Sequence, residues 1–337
     1  MNRLLIVDGS SMLVTSYYGL LPKQILFEKD EEEKKKHYDK IMQYNGFYTN
    51  AMYAMTKTLR KIIKEQHITH MVICFDKTRD TFRRKKYADY KAQRSATPEP
   101  LKDQFIHMEV MLQEIGYAVE MSDDYEADDL AGSAAALYSK EMPTYIITKD
   151  HDYLQLVDSD TTLWLLQTQQ DKADEINQKY SSLFSDGKGF SLPDKAVSVT
   201  PSVCVSEYGV YPEQIPDLKG ITGDSSDNIP GVKGVQSAAA PLLREYGTIE
   251  RIYQAIDSCQ DEKARKKLSA FWKEKLGVKR SPIKALIEYR DSAFMSKDLA
   301  TIKRDVALSH TLDQMSLDLL DDKKRREQYA RFGFKSL

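Results

Sequence analysis

The sequence predicts an α/β protein, with a parallel-sheet core followed by a helical region. Three observations predict it. Three short apolar runs each close on aspartate: Leu4 to Asp8, His70 to Asp76, and Thr144 to Asp150 and Asp152. Such runs read as buried parallel strands, and in an open parallel sheet ligands bind beyond the carboxyl ends of the strands. The stretch Asp123-Asp124-Tyr125-Glu126-Ala127-Asp128-Asp129 puts five carboxylates at the start of a small-residue helix. Finally, a glycine-punctuated stretch, Gly220 to Gly234, interrupts helical patterns in the second half.

With 337 residues the chain can bury a large core, and two domains are expected, at 1–197 and 198–337. Hydrophobic residues make up 41% and charged residues 30%, the balance of a globular protein, and no apolar run is long enough for a bilayer. The first strand begins almost at Met1 with no leader pattern before it. Cys74, Cys204 and Cys259 show no metal-ligand spacing, so free thiols in a reducing, cytoplasmic setting are expected.

In chain order, Leu4 to Asp8 is the first strand, and Gly9-Ser10-Ser11 turns it into a helix bearing Tyr17 and Tyr18, which read as core or rim residues. Residues 28–37 are mixed charge and read as a solvated helix or loop. The spacing of Met52, Met55, Leu59 and Ile62 predicts a helix over 50–64 with a buried stripe. After the second strand, residues 77–94 hold eight bases against two acids, a net of +6 in a chain of net charge −2. The segment alternates bases (Arg79, Arg83, Arg84, Lys85, Lys86, Lys91, Arg94) with Phe82, Tyr87 and Tyr90, a pattern that suits phosphate contact better than a merely solvated face. Pro98 and Pro100 close it, and a helix over about 101–115 follows.

The acidic stretch comes next. A well-capped helix explains one or two of its acids, not five, because like charges this close resist folding unless a cation binds. Asp8, Asp76, Asp150 and Asp152 are expected to meet Glu126, Asp128 and Asp129 at one sheet edge. Oxygen ligands without His or Cys favour Mg²⁺ or Mn²⁺. Residues 168–197 read as an insertion or mobile loop. Gly231-Val232-Lys233-Gly234-Val235 resembles a helix-hairpin-helix turn, whose glycines let backbone N–H groups approach a phosphate. Asp224 and Asp227 before it are either caps or further members of the acidic site.

These residues match a known family. Leu5-Ile6-Val7-Asp8-Gly9, Phe75-Asp76, Thr81-Phe82-Arg83, Tyr90-Lys91-Ala92-Gln93-Arg94, Glu126-Ala127-Asp128-Asp129, Thr148-Lys149-Asp150-His151-Asp152 and Gly223-Asp224-Ser225-Ser226-Asp227-Asn228-Ile229-Pro230-Gly231 occur in family order, and the tail from Leu299 to Leu337 fits as well. The chain resembles the bacterial and phage 5′→3′ exonucleases, or flap endonucleases, like the N-terminal nuclease region of DNA polymerase I. With no polymerase segment following, a free-standing member is expected. The resemblance implies a PIN-like nuclease core, a helical arch at about 77–107, and a helix-hairpin-helix-type (H3TH) duplex clamp. It implies two metal ions, one served by Asp8, Asp76, Glu126 and Asp128, the other by Asp129, Asp150, Asp152, Asp224 and Asp227, with K⁺ at the hairpin. It places Lys91 and Arg94 at the phosphate to be cut, and Arg79, Arg83, Arg84, Lys85, Lys86, Gly231, Lys233 and Gly234 on DNA with 5′ ends, flaps or nicks. The implied activity is two-metal phosphodiester hydrolysis in replication or repair. A PIN-like ribonuclease and a DNA-binding protein weak in catalysis are the alternatives. One departure stands out: the clamp continues Gln236-Ser237-Ala238 where the family has Gly-x-Lys-Thr/Ser-Ala, one residue short and without the lysine. A weaker duplex anchor is expected from it.

Overall fold

The computed structural model describes residues 2–183 and 192–337. Six strands form the main sheet: β1 (Leu4–Asp8), β2 (His70–Asp76), β3 (Ala118–Ser122), β4 (Thr144–Thr148), β5 (Thr161–Leu166) and β6 (Ala196–Val199). Their spatial order is β3-β2-β1-β4-β5-β6, parallel except for the antiparallel β5–β6 pair. The order reverses between β1 and β4, and a crevice opens at the carboxyl ends of strands at such a reversal. The three expected strands are β1, β2 and β4. The expected boundary at 197/198 falls inside β6, so the sheet runs two residues further than the sequence suggested.

The principal helices are α1 (Gly9–Gly19), α2 (Asn50–Glu65), α3 (Phe82–Lys86), α4 (Glu99–Ile115) and α5 (Ala127–Tyr138) in the first half. They are followed by α6 (Ile215–Thr222), α7 (Gln236–Tyr246), α8 (Glu262–Leu276), α9 (Arg290–Ala300) and α10 (Asp322–Arg331). Side chains of β1 alternate between two cores, as strand geometry requires. Leu5 and Val7 face α1, α2 and α4, while Leu4 and Ile6 face α5 and the C-terminal helices. The methionine stripe of α2 is buried, as its spacing predicts.

Residues 28–37 form a short solvated helix, Glu31–Lys35, capped by Asp30. The region 168–197 carries a helix, Gln170–Lys179, and the start of β6; the part of that expected insertion at 184–191 lies outside the described residues. The expected arch is only partly helical, since turns and irregular chain at 87–98 join α3 to α4.

The tail returns to the first half. Leu317 N donates to Thr69 O at 2.8 Å and Asp321 N to Ile115 O at 2.9 Å. Phe332 and Phe334 are buried in the α1–α2–α4 core, their rings 5.4 Å from Phe47 and 5.7 Å from Tyr53 respectively. Gly333, at φ +74°, lies flat on Tyr44, where a Cβ would stand 2.5 Å from the ring. Among the described residues no helix is long and apolar enough to cross a membrane.

Candidate functional site

A cleft of about 1940 Å³ opens over the carboxyl ends of β1, β2 and β4, lined by Asp8, Asp76, Glu126, Asp128, Asp150 and Asp152, with Asp224 and Asp227 from the second half. The acids arrive there for local reasons. Asp8 ends β1 and caps α1, accepting from Ser11 N at 3.0 Å and from Thr148 Oγ1 at 2.5 Å. Burial pushes its carboxyl up to about 7, against the pull of those two bonds. Asp76, exposed at the end of β2, accepts from Ala127 N at 2.9 Å and so pins the start of α5. Glu126 is the N-cap of α5 and shares a capping box with Asp129. Asp150 caps the turn after β4, accepting from Asp152 N at 2.8 Å, and its carboxyl is raised chiefly by burial.

The chain's own cations meet these acids. Lys91 Nζ lies 2.5 Å from Glu126 Oε2 and 3.6 Å from Asp227 Oδ2, while Arg94 Nη2 reaches Asp227 Oδ1 at 2.6 Å. Burial alone would raise Glu126, but Lys91 and Arg83 outweigh it and hold the carboxyl below its ordinary value. Lys91 sits at φ +53°, a backbone region that side chains disfavour, and its N–H donates to Asp227 O at 3.0 Å. Lys219 bridges Asp152 and Asp224. Tyr90, fully buried, points its hydroxyl at both Glu126 and Asp227, 3.3 Å from each.

The donor set fits a hard divalent cation, being all oxygen. Asp128 Oδ1 is buried without a hydrogen-bond partner among the described residues, the nearest cation there being Arg83 Nη1 at 3.5 Å. Its carboxyl is raised well above the usual range, first by burial. The Tyr153 hydroxyl, buried in the cleft floor, likewise has no partner among the described residues. As placed, however, no three Asp, Glu, His or Cys side chains among the described residues close on one point. Lysine and arginine stand between the acids, so the expected convergence is one of location and not of a finished ligand cage.

Several expected roles change. Arg83 is 1% exposed, not on a DNA-facing surface. Its guanidinium makes two 2.7 Å bonds to Asp129 and reaches the carbonyls of Leu299 and Thr301. Asp129, also fully buried, spends both oxygens on Arg83 and on the N–H groups of Glu126 and Lys303, which removes it from the expected second metal set. Lys85 and Lys86 pair with Asp124 and Asp298, and Arg79 donates to the carbonyls of Arg94 and Ser95. Among the expected DNA-contacting bases of that segment, Arg84 is exposed and has no ion pair among the described residues. Gly231 is buried, and its N–H donates to Ser296 Oγ at 2.9 Å instead of facing a phosphate. Lys233 and Gly234 are exposed at the hairpin, where α7 begins at Gln236 with no side-chain cap.

Sequence reasoning missed Lys219 and Tyr153, and it set Tyr90 among phosphate-contacting aromatics, whereas the structure buries it against Glu126 and Asp227. Lys219 carried a signal, standing five residues before Asp224 on a helix aimed at the acidic turn. Tyr153 carried none, since an aromatic after a polar motif reads as core.

Comparison with known proteins gives the family and the fold. A family model described as “5′-3′ exonuclease, N-terminal resolvase-like domain” matches residues 3–181, and one described as “5′-3′ exonuclease, C-terminal SAM fold” matches residues 210–323. DNA polymerase I of Bacillus caldotenax is 31% identical over 337 residues, covering 99% of this chain and 32% of that protein. DNA polymerase I of Geobacillus stearothermophilus is 33% identical with the same coverage. The chain thus spans about a third of the length of these relatives. In fold it is similar to the bacteriophage T5 D15 flap endonuclease in complex with DNA and metal ions, with a TM-score of 0.57, 17% identity, and 98% of each chain covered.

Proposed function

Because this chain belongs to the 5′-3′ exonuclease family, we propose that it hydrolyses DNA phosphodiester bonds at 5′ ends and flaps, in replication or repair, with divalent metal ions. One observation carries the reading: carboxylates from three strand ends, one helix start and the turn before the hairpin line a single cleft, with the buried Asp128 oxygen left without a partner among the described residues. Asp8, Asp76, Glu126, Asp128, Asp150, Asp152, Asp224 and Asp227 are the residues that would hold the ions. When bound, such ions supply activated water and charge stabilisation at the phosphate.

The chain's own residues prepare that chemistry. Thr148 and Ser11 fix the Asp8 carboxylate, and the Arg83–Asp129 pair holds the start of α5 so that Glu126 and Asp128 face the cleft. Lys91 and Arg94 pair with Glu126 and Asp227. A phosphate entering the cleft offers them a competing anion, and Lys91 beside the reacting phosphorus stabilises charge as it builds. The oxygens of Glu126, Asp152 and Asp224 that would hold an ion are paired with Lys91 and Lys219. Mg²⁺ or Mn²⁺ is the ion this reading names; K⁺ at the hairpin rests on the family resemblance.

The test is cleavage of a labelled 5′-flap duplex, with an RNA hairpin alongside. Activity on the flap should need Mg²⁺ or Mn²⁺ and stop with EDTA. Asp128→Ala and Asp150→Ala should abolish cleavage and keep DNA binding. Full activity in either variant would sink the assignment of the site.

A further inference from the structure

We propose that α8 and the loop after it form a second duplex-binding surface, away from the cleft, that grips the sugar-phosphate backbone of double-stranded DNA. The proposal rests on the DNA-substrate reading above. Residues 262–284 hold nine bases against two acids, a net of +7, which exceeds the +6 of the segment at 77–94. Six of those bases lie on α8: Lys263, Arg265, Lys266, Lys267, Lys273 and Lys275. Lys279, Arg280 and Lys284 follow.

What separates the two basic regions is pairing. Six of the eight bases at 77–94 are ion-paired with acids of this chain: Lys77, Arg83, Lys85, Lys86, Lys91 and Arg94. The nine bases at 262–284 are all exposed, and none has an ion pair among the described residues. Lysines in a last turn complement the helix dipole, which accounts for Lys273 and Lys275 and not for the rest. Like charges three and four residues apart oppose helix formation, so an uncompensated row of this kind is a surface suited to a polyanion.

The surface is also held rigidly. Trp272 is fully buried and donates from Nε1 to Tyr246 Oη at 2.8 Å, which fastens α8 to the end of α7. With Leu268 and Trp272 turned inward, helical spacing puts Lys263, Lys266 and Lys273 together on the opposite face. The hairpin begins α7 and Tyr246 ends it, a separation of about 16 Å, or roughly five base-pair steps. A duplex anchored at the hairpin and running along α7 reaches α8 only if it continues for about that length.

The experiment replaces Lys263, Lys266 and Lys273 together by Gln in the full chain. A control variant replaces Lys23, Lys29 and Lys40 by Gln, exposed lysines on another part of the surface. Binding to flap substrates with downstream duplexes of about 4 and about 18 base pairs is measured across a salt series. On the long duplex the α8 variant should flatten the log–log salt slope by about 2–3, close to one unit per lost phosphate contact. On the short duplex it should match the parent chain, and its single-turnover cleavage rate at saturating enzyme should not change. A parent-like slope on the long duplex, or equal flattening in the control variant, overturns the α8 surface while leaving the nuclease reading intact. Failure of the parent chain to bind or cleave any of these DNAs defeats the nuclease reading, and the α8 surface with it.

Discussion

Arg83→Met tests whether this side chain is a DNA contact, as its place in a basic segment suggests, or a buried strut. In the structure Arg83 and Asp129 are both shielded from solvent and joined by two 2.7 Å bonds. Burial disfavours the arginine's charge, yet Asp128 and Asp129 together hold its pKa well above the ordinary value. Removing it strands the Asp129 carboxylate with only two backbone N–H donors. Breaking a buried pair from one side costs about 3–5 kcal/mol. For 337 residues the unfolding entropy near the midpoint is about 0.7 kcal/mol/K, so the melting temperature should drop by about 4–7 °C. Circular dichroism melts of the metal-free protein read this directly. Arg83→Met combined with Asp129→Leu should recover most of the loss, because an apolar pair replaces a buried ionic one at little cost. If Arg83→Met melts within about 0.5 kcal/mol of the parent while its DNA salt slope flattens by about one unit, the strut is refuted and the DNA contact restored.

Other outcomes follow from neighbouring features. Tyr153→Phe should leave metal-free stability unchanged or raised, since its hydroxyl has no partner among the described residues to lose; a loss above about 1 kcal/mol in urea unfolding would contradict that. Gly231→Ala should be far more damaging than Gly234→Ala. Both sit at positive φ, +63° and +78°, but a Cβ on Gly231 would stand 2.2 Å from Gly223 N, whereas Gly234 has open space; thermal melts should show about 1–2 kcal/mol for the second and clearly more for the first. Glu109, lining the cleft, has its carboxyl pushed up to about 7 from 4.5 by burial. The folded state therefore binds the proton more tightly than the unfolded one, and stability falls as pH rises through that interval. Melts of Glu109→Gln against the parent should converge at low pH and separate, with the parent lower, towards pH 7.

The strands that close on aspartate were legible because a buried parallel strand must be apolar throughout and polar at the ligand edge. The remaining strands were not. β3 carries Glu120 at its centre, which breaks the apolar pattern; that side chain is buried only because Ser309 and His310, far along the chain, satisfy it. β6 is four residues long and pairs antiparallel at the edge, too little pattern to read. At the site, the acids were legible as residue types but their occupants were not. Arg83 and Arg84 are adjacent bases in one run, yet a single residue of helical rotation buries the first and exposes the second. Gly231 and Gly234 look alike in sequence, and only tertiary contact with Ser296 withdraws the N–H of the first. Local pattern names which residues can do chemistry, and long-range packing decides which are free to do it.

The seating of Phe332 and Phe334 in the core around α1, α2 and α4 has a bearing on synthesis. The ribosome delivers β1 and β2 first, and roughly 260 residues of further chain separate Asp76 from Phe334. At typical elongation rates that is on the order of 10–50 s during which the apolar face under α2 and α4 lacks its cover. A nascent chain in that interval presents sticky surface to chaperones and to other nascent chains. A protein cut after Leu320 by a protease or a premature stop is left permanently in that condition: every acid of the cleft would be present, yet the layer behind the main sheet would stay open, so loss of the tail should appear first as aggregation.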